Sequence, residues 1–563
     1  MAGTLIDLIR ASVIGEDEIV DGPFGPRRVT YADYTASGRA LSFIEDYLRD
    51  AVLPLYANTH TESSGTGLQT TRFREEARRI IASCVGATGE HAVLFCGSGT
   101  TGAIDHLVRV LGLRIPGDLD ERYQLTDRIP PAERPVVFIG PYEHHSNELP
   151  WRESIADVVT IPEDADGHID LAHLAEALAS YADRPLKIGS FSAASNVTGI
   201  ITDTAALSSL LHRHGALSFY DFAAAAPYIG VEMGPVDPAD PGSYKDAVFI
   251  SPHKLIGGPG TPGVLVARRE LFANRVPAVP GGGTVAYVNP YEHRYLEDIE
   301  HREEGGTPAI VESIRAGLVF QLKEAVGTET IRALEEDFIR RAIESWSANP
   351  NIDILGNPDA ERLSIVSFVI KRGGRHLHHN YVVALLNDLF GIQSRGGCSC
   401  AGPYGHRLLG IDLEQSLEFE REITRGCEGI KPGWVRVNFN YFISEEVFRF
   451  VLDAVHLVAD EGWRLLSEYD FDAPTGLWHH HRGPSDPRLS LFDITYDGGA
   501  MGYPKQRTTG GVEHLAEYLE EARAILAAAE PPSGLTPELE VGPDFEHLRW
   551  FPLPGEREDD PAG

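Results

Sequence analysis

The chain has 563 residues, a length that predicts two to four domains with ample material for a large core and excludes a peptide or minimal module. Lys plus Arg number 49 against 83 for Asp plus Glu, a net charge of −34, so nucleic acid and an anionic bilayer are not expected as partners. Hydrophobic residues at 42% and charged residues at 23% describe a globular chain and exclude a disordered one. Five cysteines, scattered except for Cys398 and Cys400, cannot build a secreted disulfide framework and fit a reducing compartment. The N-terminus has no basic n-region or long apolar core, and no stretch approaches ~18 uninterrupted apolar residues. Neither export nor a membrane anchor is expected, and the predicted location is cytoplasmic.

In chain order, residues 1–30 form an N-terminal segment. Apolar runs then alternate with helical patterns, as in an α/β protein with a mostly parallel sheet. Buried strands are expected at His91–Phe95, Pro135–Ile139, Leu186–Phe191, Ala216–Tyr220, Ala247–Ile250 and Gly263–Val266. Helical spacing marks Thr101–Leu111 and Thr204–His214 between them. This large domain is predicted over 31–300. A long amphipathic pattern, Ile310–Ser347, opens a smaller α+β domain over 301–470, continued by Leu363–Ile370, Asn380–Phe390 and Trp434–Asp460. From 471 to 563 the composition shifts toward Pro, Gly, Asp and Glu, with one helical island at Val512–Ala529, and reads as an appended extension.

The sharpest chemical signal is Ser251-Pro-His-Lys254, set between the run Ala247–Ile250 and a glycine-rich turn. The chain has only seven lysines. One at a strand end beside Ser and His is placed either to form a Schiff base with an aldehyde cofactor or to sit as a solvated loop lysine. Cys96-Gly-Ser-Gly-Thr100-Thr101 leads from a strand into a helix, a geometry that binds phosphate, although turns also use these residues for backbone freedom. Asp221 ends a buried strand, where a carboxylate needs a cationic partner such as a protonated pyridine nitrogen. Glu143-His-His-Ser-Asn147 and Ser192-Ala-Ala-Ser-Asn196 also follow strands, the usual ligand edge of an open α/β sheet. A Cys-x-Cys pair is read as a metal site or an inert pair when it stands alone, and no further Cys/His set is spaced to complete four zinc ligands.

Taken together these residues resemble the class V aminotransferase family of fold type I pyridoxal phosphate enzymes, in its cysteine desulfurase and selenocysteine lyase branch. The matching motifs run in order from Tyr31-Ala-Asp-Tyr-Thr-Ala-Ser37 to Arg436-Val-Asn-Phe-Asn-Tyr441. The resemblance implies pyridoxal 5'-phosphate as cofactor, a large domain with a mostly parallel sheet, and a smaller C-terminal α+β domain. It implies Lys254 as the Schiff-base residue, Ser251, His253, Thr100 and Thr101 as phosphate ligands, and His144 stacked on the pyridine ring with a proton-transfer role. Asn196 would contact the phenolic oxygen, and Asp221 the ring nitrogen. Glu304-Gly-Gly-Thr307-Pro is similar to the element that carries a threonine to the phosphate of the neighbouring subunit, which implies a homodimer.

On the substrate side, Gln393-Ser-Arg395-Gly-Gly-Cys398-Ser-Cys400-Ala-Gly-Pro is similar to the family loop whose cysteine receives sulfur. That cysteine is Cys400, while Arg395, Arg436 and His60 take substrate-binding roles. The implied reaction removes sulfur from L-cysteine or a related amino acid, giving alanine and a Cys400 persulfide, with a sulfur-acceptor protein as further partner. An aminotransferase, C–S β-lyase or epimerase on the same cofactor, with the cysteines incidental, is the alternative. A binding protein on a decayed enzyme fold has no physical need for Thr100, Thr101, His144, Asp221 and Lys254 together. Ala224 stands where the family's desulfurases usually carry glutamine, Thr61 where they carry arginine, and an acidic insert occupies Leu413–Glu422. In an extended loop Cys398 and Cys400 would share a face. Trp478-His-His-His481 and His376-Leu-His-His379 are read as bland, and Cys84 and Cys96 as core thiols.

Overall fold

The computed structural model describes residues 2–59, 61–485, 489–504, 507–530, 532, 534, 539, 541–542 and 544–556. Two units emerge from the chain: one of Met1–Val13, Tyr34–Glu336 and Asp359–Leu363, the other of Ile14–Asp33, Asp337–Pro358 and Ser364–Gly563.

The first unit is built on a seven-stranded sheet: β1 (His91–Cys96), β2 (Val136–Ile139), β3 (Asp157–Thr160), β4 (Lys187–Ser192), β5 (Leu217–Asp221), β6 (Ala247–Ile250) and β7 (Gly263–Arg268), in spatial order β1-β7-β6-β5-β4-β2-β3. The pairings from β3 to β6 are parallel, whereas β7 runs antiparallel to both β1 and β6. The fold is therefore α/β with a mostly parallel sheet. β2, β4 and β6 are buried along their whole length; β2 and β6 therefore read as unbroken apolar runs, while β4 also buries Lys187, Ser190 and Ser192. β3 lacks that signal, because it is an edge strand of four residues, none of them buried. The expected long pattern at Ile310–Ser347 is two helices, Ile310–Val326 and Thr328–Ser347. Gly327, at φ 88°, takes a left-handed conformation that ends the first and starts the second. Ile310–Val326 packs closely on Gly65–Cys84: a Cβ on Gly317 would come within 2.6 Å of Ala77.

The second unit carries an antiparallel sheet of β8 (Ile352–Ile354), β9 (Ile365–Arg372), β10 (Arg395–Gly397) and β11 (Trp434–Asn438), ordered β8-β9-β11-β10. Helices His379–Phe390, Glu445–Glu461 and Leu515–Ala528 share its core. Phe471, Trp478, Phe545, Phe551 and Leu553 are buried in the same core, so part of the chain beyond 471 packs into this unit's interior, while Leu491 and Phe492 stay exposed.

Candidate active site

In the first unit the side chains of interest gather where β4, β5 and β6 end. β6 delivers Ser251 into a short helical turn, Pro252–Lys254, closed by the Lys254 N–H donating to the Ser251 carbonyl at 3.0 Å. Backbone packs tightly against this turn: the Gly38 N–H donates to the His253 carbonyl, and a Cβ on Gly38 or Gly258 would lie 2.1 Å from a carbonyl oxygen of the turn. Helix Gly99–Val110 starts opposite, with the Thr100 N–H donating to Ser251 Oγ at 2.9 Å. The Thr100 hydroxyl points to Asp221 Oδ2 at 3.5 Å. Asp221 is 4% exposed, and burial lifts its carboxyl above the usual range, opposed by the Ala223 N–H, the Lys254 charge and Thr100. Burial and the Lys254 charge hold His253 down at about 4, so its ring is neutral at pH 7. Asn196 is buried in a turn after β4, where Ser195 Oγ accepts from the N–H groups of Val197 and Thr198.

His144 caps helix His145–Arg152, its Nδ1 accepting the Ser146 N–H at 3.1 Å. That bond assigns the neutral ring's proton to Nε2. Ser146 Oγ lies 3.0 Å from His144 Nδ1 and 2.7 Å from Thr101 Oγ1, so one hydroxyl joins the histidine to the threonine. Glu143 underpins the turn, accepting from the N–H groups of Gly140 and Ser192, the Ser192 hydroxyl and Asn147 Nδ2. Despite these four donors, burial pushes its carboxyl up to about 7. Glu143 and Ser146 carry no signal in the sequence beyond membership of the Glu-His-His-Ser-Asn string.

Glu304 is buried against Arg74 and Arg78, with Arg78 reaching both of its oxygens at 2.9 and 3.0 Å and the Phe95 N–H donating at 2.8 Å. The anchored glutamate leaves Thr307 exposed three residues later, its Oγ1 accepting from Asn58 Nδ2 at 3.3 Å. Burial opposes the Glu304 charge, but the two arginines win and hold its carboxyl at about 2, below the ordinary 4.5. A lowered carboxyl contributes stability that is fully present above pH 4.5 and is lost as pH falls toward 2. Glu304→Gln is therefore expected to destabilise most at neutral pH, by roughly 3 kcal/mol as for a broken buried pair. Urea titrations of both proteins at pH 7 and pH 3.5 check this, and an equal difference at both values would refute it.

In the second unit, β10 pairs with β11 so that Arg395 lies opposite Arg436. Arg436, 3% exposed, donates from Nη2 to Asp33 at 2.8 Å. The chain places Asp33 there by pairing Thr30–Tyr31 with Ile392–Gln393 and by the Asn438 N–H donating to the Ala32 carbonyl. Asp33 is thus a partner of Arg436, 403 residues away in sequence and without a local signal. β10 stops at Gly397, and Ser399 and Cys400 take left-handed φ values of 50° and 57°. The shared-face arrangement expected of an extended loop does not occur, because Cys398 to Ala401 form a turn closed by the Ala401 N–H on the Cys398 carbonyl. Cys398 and Cys400 are half-buried, and His60 lies outside the described residues. His378 and His379 are buried among aromatic rings, whereas strand Leu477–His480 alternates, burying Trp478 and His480. Burial raises the Cys84 thiol to about 11 and lifts that of Cys96 as well; Cys96 is a buried core thiol as expected, whereas Cys84 is only half-buried.

A neutral histidine, a turn of hydroxyls and amides at a helix start, and a buried carboxylate facing a lysine at the carboxyl edge of the sheet define a pyridoxal phosphate enzyme of fold type I. The chain belongs to the aminotransferase class-V family, whose model matches residues 30–418. It is 27% identical over 425 residues to a probable cysteine desulfurase of Halobacterium salinarum, covering 75% of this chain and 93% of that protein. A probable cysteine desulfurase of Staphylococcus aureus is also 27% identical, over 69% of this chain and 87% of its own length. In fold it resembles a cysteine desulfurase from Thermococcus onnurineus, with TM-score 0.61, 24% identity and coverage of 77% of this chain and 94% of that one. A cysteine desulfurase from Escherichia coli gives TM-score 0.58 and 21% identity over 76% and 93%.

The residues present fit the family's cofactor. Gly99, at φ 54°, approaches Ser251 and His253 so closely that a Cβ there would lie 2.8 Å from Ser251 Oγ and 3.6 Å from His253 Nε2, so a glycine lets the start of the helix close on the two residues expected to hold the phosphate. Asp221 offers a buried carboxyl, and a protonated pyridine nitrogen beside it would offset the burial that lifts that carboxyl above the usual range.

Proposed function

We propose that this enzyme removes sulfur from L-cysteine or a closely related amino acid, giving alanine and a persulfide on Cys400. The observation that carries the reading is the left-handed turn at Ser399–Cys400, two adjacent non-glycine residues in a conformation that costs about 1–2 kcal/mol each and clusters at functional sites. The names of the relatives support it. Lys254, Thr100, Thr101, Ser251, His253, His144, Asn196 and Asp221 would hold pyridoxal phosphate, which when bound supplies an electron sink for the substrate Cα. Lys254 Nζ accepts the Cα proton, and His144, protonated on Nε2, moves a proton at the substrate. Asp221 keeps a negative charge at the ring-nitrogen position. Arg436 and Arg395 orient the substrate carboxylate, with Asp33 fixing the Arg436 fork. Cys400 Sγ, as thiolate, attacks the substrate sulfur; the S–S bond forms as the Cβ–S bond breaks, and its electron pair is protonated at Cβ. An acceptor protein then takes the sulfur by thiol exchange.

Incubation of the purified enzyme with L-cysteine and an excess of a dithiol, which reduces the persulfide and is oxidised to its disulfide, with alanine, sulfide and pyruvate measured, tests the reading. Alanine and sulfide in equal amounts support it. Pyruvate, or a keto acid without alanine, would favour the lyase or aminotransferase alternative, which Ala224 also favours by offering no donor to the cofactor's phenolic oxygen.

The reading includes a cytoplasmic location and a homodimer, the dimer supported by the exposure of Thr307 three residues after the firmly anchored Glu304. Sedimentation of the holoprotein is expected to give a dimer, and Thr307→Ala to weaken cofactor retention without unfolding the chain. A monomer that keeps cofactor and activity would contradict the dimer. Among the described residues no helix is long and apolar enough to cross a membrane.

A further inference from the structure

The family match ends at residue 418, and the chain continues well beyond it. Two pieces of that continuation reach the support of the cysteine loop. His379 and Asn380 start helix His379–Phe390, with His378 as its cap. The Asn380 Oδ1 lies where a Cβ on Gly396 would come within 2.6 Å, and His379 Cδ2 is 3.1 Å from the same point. The His379 ring also closes on Gly433, where a Cβ would lie 2.9 Å from Cε1 and 2.7 Å from the Gly397 Cα. Gly396, on β10, and Gly433, against Gly397, thus let one histidine and one asparagine press on β10, the strand that stops one residue before Cys398.

Both side chains are held from behind by the continuation. Asn380 Nδ2 donates to the Gly476 carbonyl at 2.8 Å. The His379 ring stacks on Trp550 with centroids 5.7 Å apart and planes within 10°, and Trp550 also stacks on His378. Trp550 is fixed in turn by its Nε1–H donating to the Ile430 carbonyl at 3.0 Å. His379 is 6% exposed, and its Nδ1 has no hydrogen-bond partner, so packing alone orients the ring. The loop needs such support, because left-handed backbone at Ser399 and Cys400 persists only when its surroundings over-determine it.

We propose that the C-terminal extension, acting through Trp550 on His379 and through Gly476 on Asn380, holds the Cys398–Cys400 loop in its strained form, making His379 and Asn380 positioning residues for Cys400. The inference rests on the desulfurase reading only for its effect on turnover; the state of the loop is measurable without it.

The experiment follows alkylation of individual cysteines by iodoacetamide in the full-length holoprotein, mapped by mass spectrometry, for Asn380→Ala and Trp550→Phe. Trp550→Phe keeps a stacking ring and loses the bond to Ile430, so it is the variant least disposed to unfold. Each is expected to raise the Cys400 rate about fivefold, the change for one net hydrogen bond lost from the closed form. Cys84, half-buried in the first unit, should react as in the parent. In the turnover arm kcat for alanine should fall while KM and the cofactor absorbance stay unchanged. Unchanged Cys400 alkylation in both variants, or an equal rise at Cys84, overturns the proposal. Faster Cys400 alkylation in a protein whose parent makes no alanine would sustain the brace and remove the desulfurase reading instead.

Discussion

Lys254→Ala is expected to abolish turnover, with a loss on the order of 10³-fold or more, since one amine serves as both covalent anchor and proton acceptor. The position is dictated from the sequence upward. An unbroken apolar run makes β6, Pro252 starts the turn that follows it, and Gly38 and Gly258 let backbone close on that turn from both sides. Lys254 is therefore carried on a fixed base while its charge acts on Asp221. The parent holoprotein should be yellow, and borohydride reduction followed by peptide mapping should place a pyridoxyl group on Lys254. A pyridoxyl group on any other lysine ends the assignment. Lys254→Arg keeps the positive charge beside Asp221 and removes the nucleophile, so it too should be inactive. If it were active, the charge and not the amine would be the working feature.

How much of this was legible depends on whether a feature is local in sequence. β2, β4 and β6 announce themselves because both faces are buried, and the residues between β6 and β7 stand out because lysine is rare in this chain. β3 does not, since a half-buried edge strand of four residues has only two valines to show. Pairings across long separations are equally silent: nothing near Thr101 indicates Ser146, 45 residues on, and nothing near Asp33 indicates Arg436, 403 residues on. The turn at Ser399–Cys400 departs from the extended expectation because neither residue favours a left-handed φ by itself; the surrounding packing imposes it. The buried Trp478, Phe545 and Phe551 are scattered among Pro, Gly and acidic residues, so composition hides their place in the second unit's core. The split of Ile310–Ser347 at Gly327 was available in sequence, as an isolated glycine in a helical pattern.

Cys400→Ala is expected to stop alanine formation from L-cysteine, because breaking the Cβ–S bond in this reading requires a thiolate to take the sulfur. The variant should still bind cofactor and still yield pyridoxyl-Lys254 after borohydride, since the ligands proposed for the cofactor lie on other segments of the chain. Cys398→Ala should act differently. Cys398 ends the strand-to-turn transition and its carbonyl accepts the Ala401 N–H, a bond that survives loss of the side chain. Its thiol is not fixed on the same face as Cys400 by an extended backbone, so transfer between the two needs the turn to open. Cys398→Ala is therefore expected to leave the first turnover intact and to slow sulfur release, visible as a burst of alanine followed by a reduced steady rate. Selenocysteine, whose selenium leaves more readily, should be less affected by either change. The decisive comparison is alanine per enzyme in a single turnover. None from Cys400→Ala and one from Cys398→Ala assigns the acceptor, whereas a full equivalent from Cys400→Ala removes the persulfide from the mechanism and leaves the lyase or aminotransferase alternative.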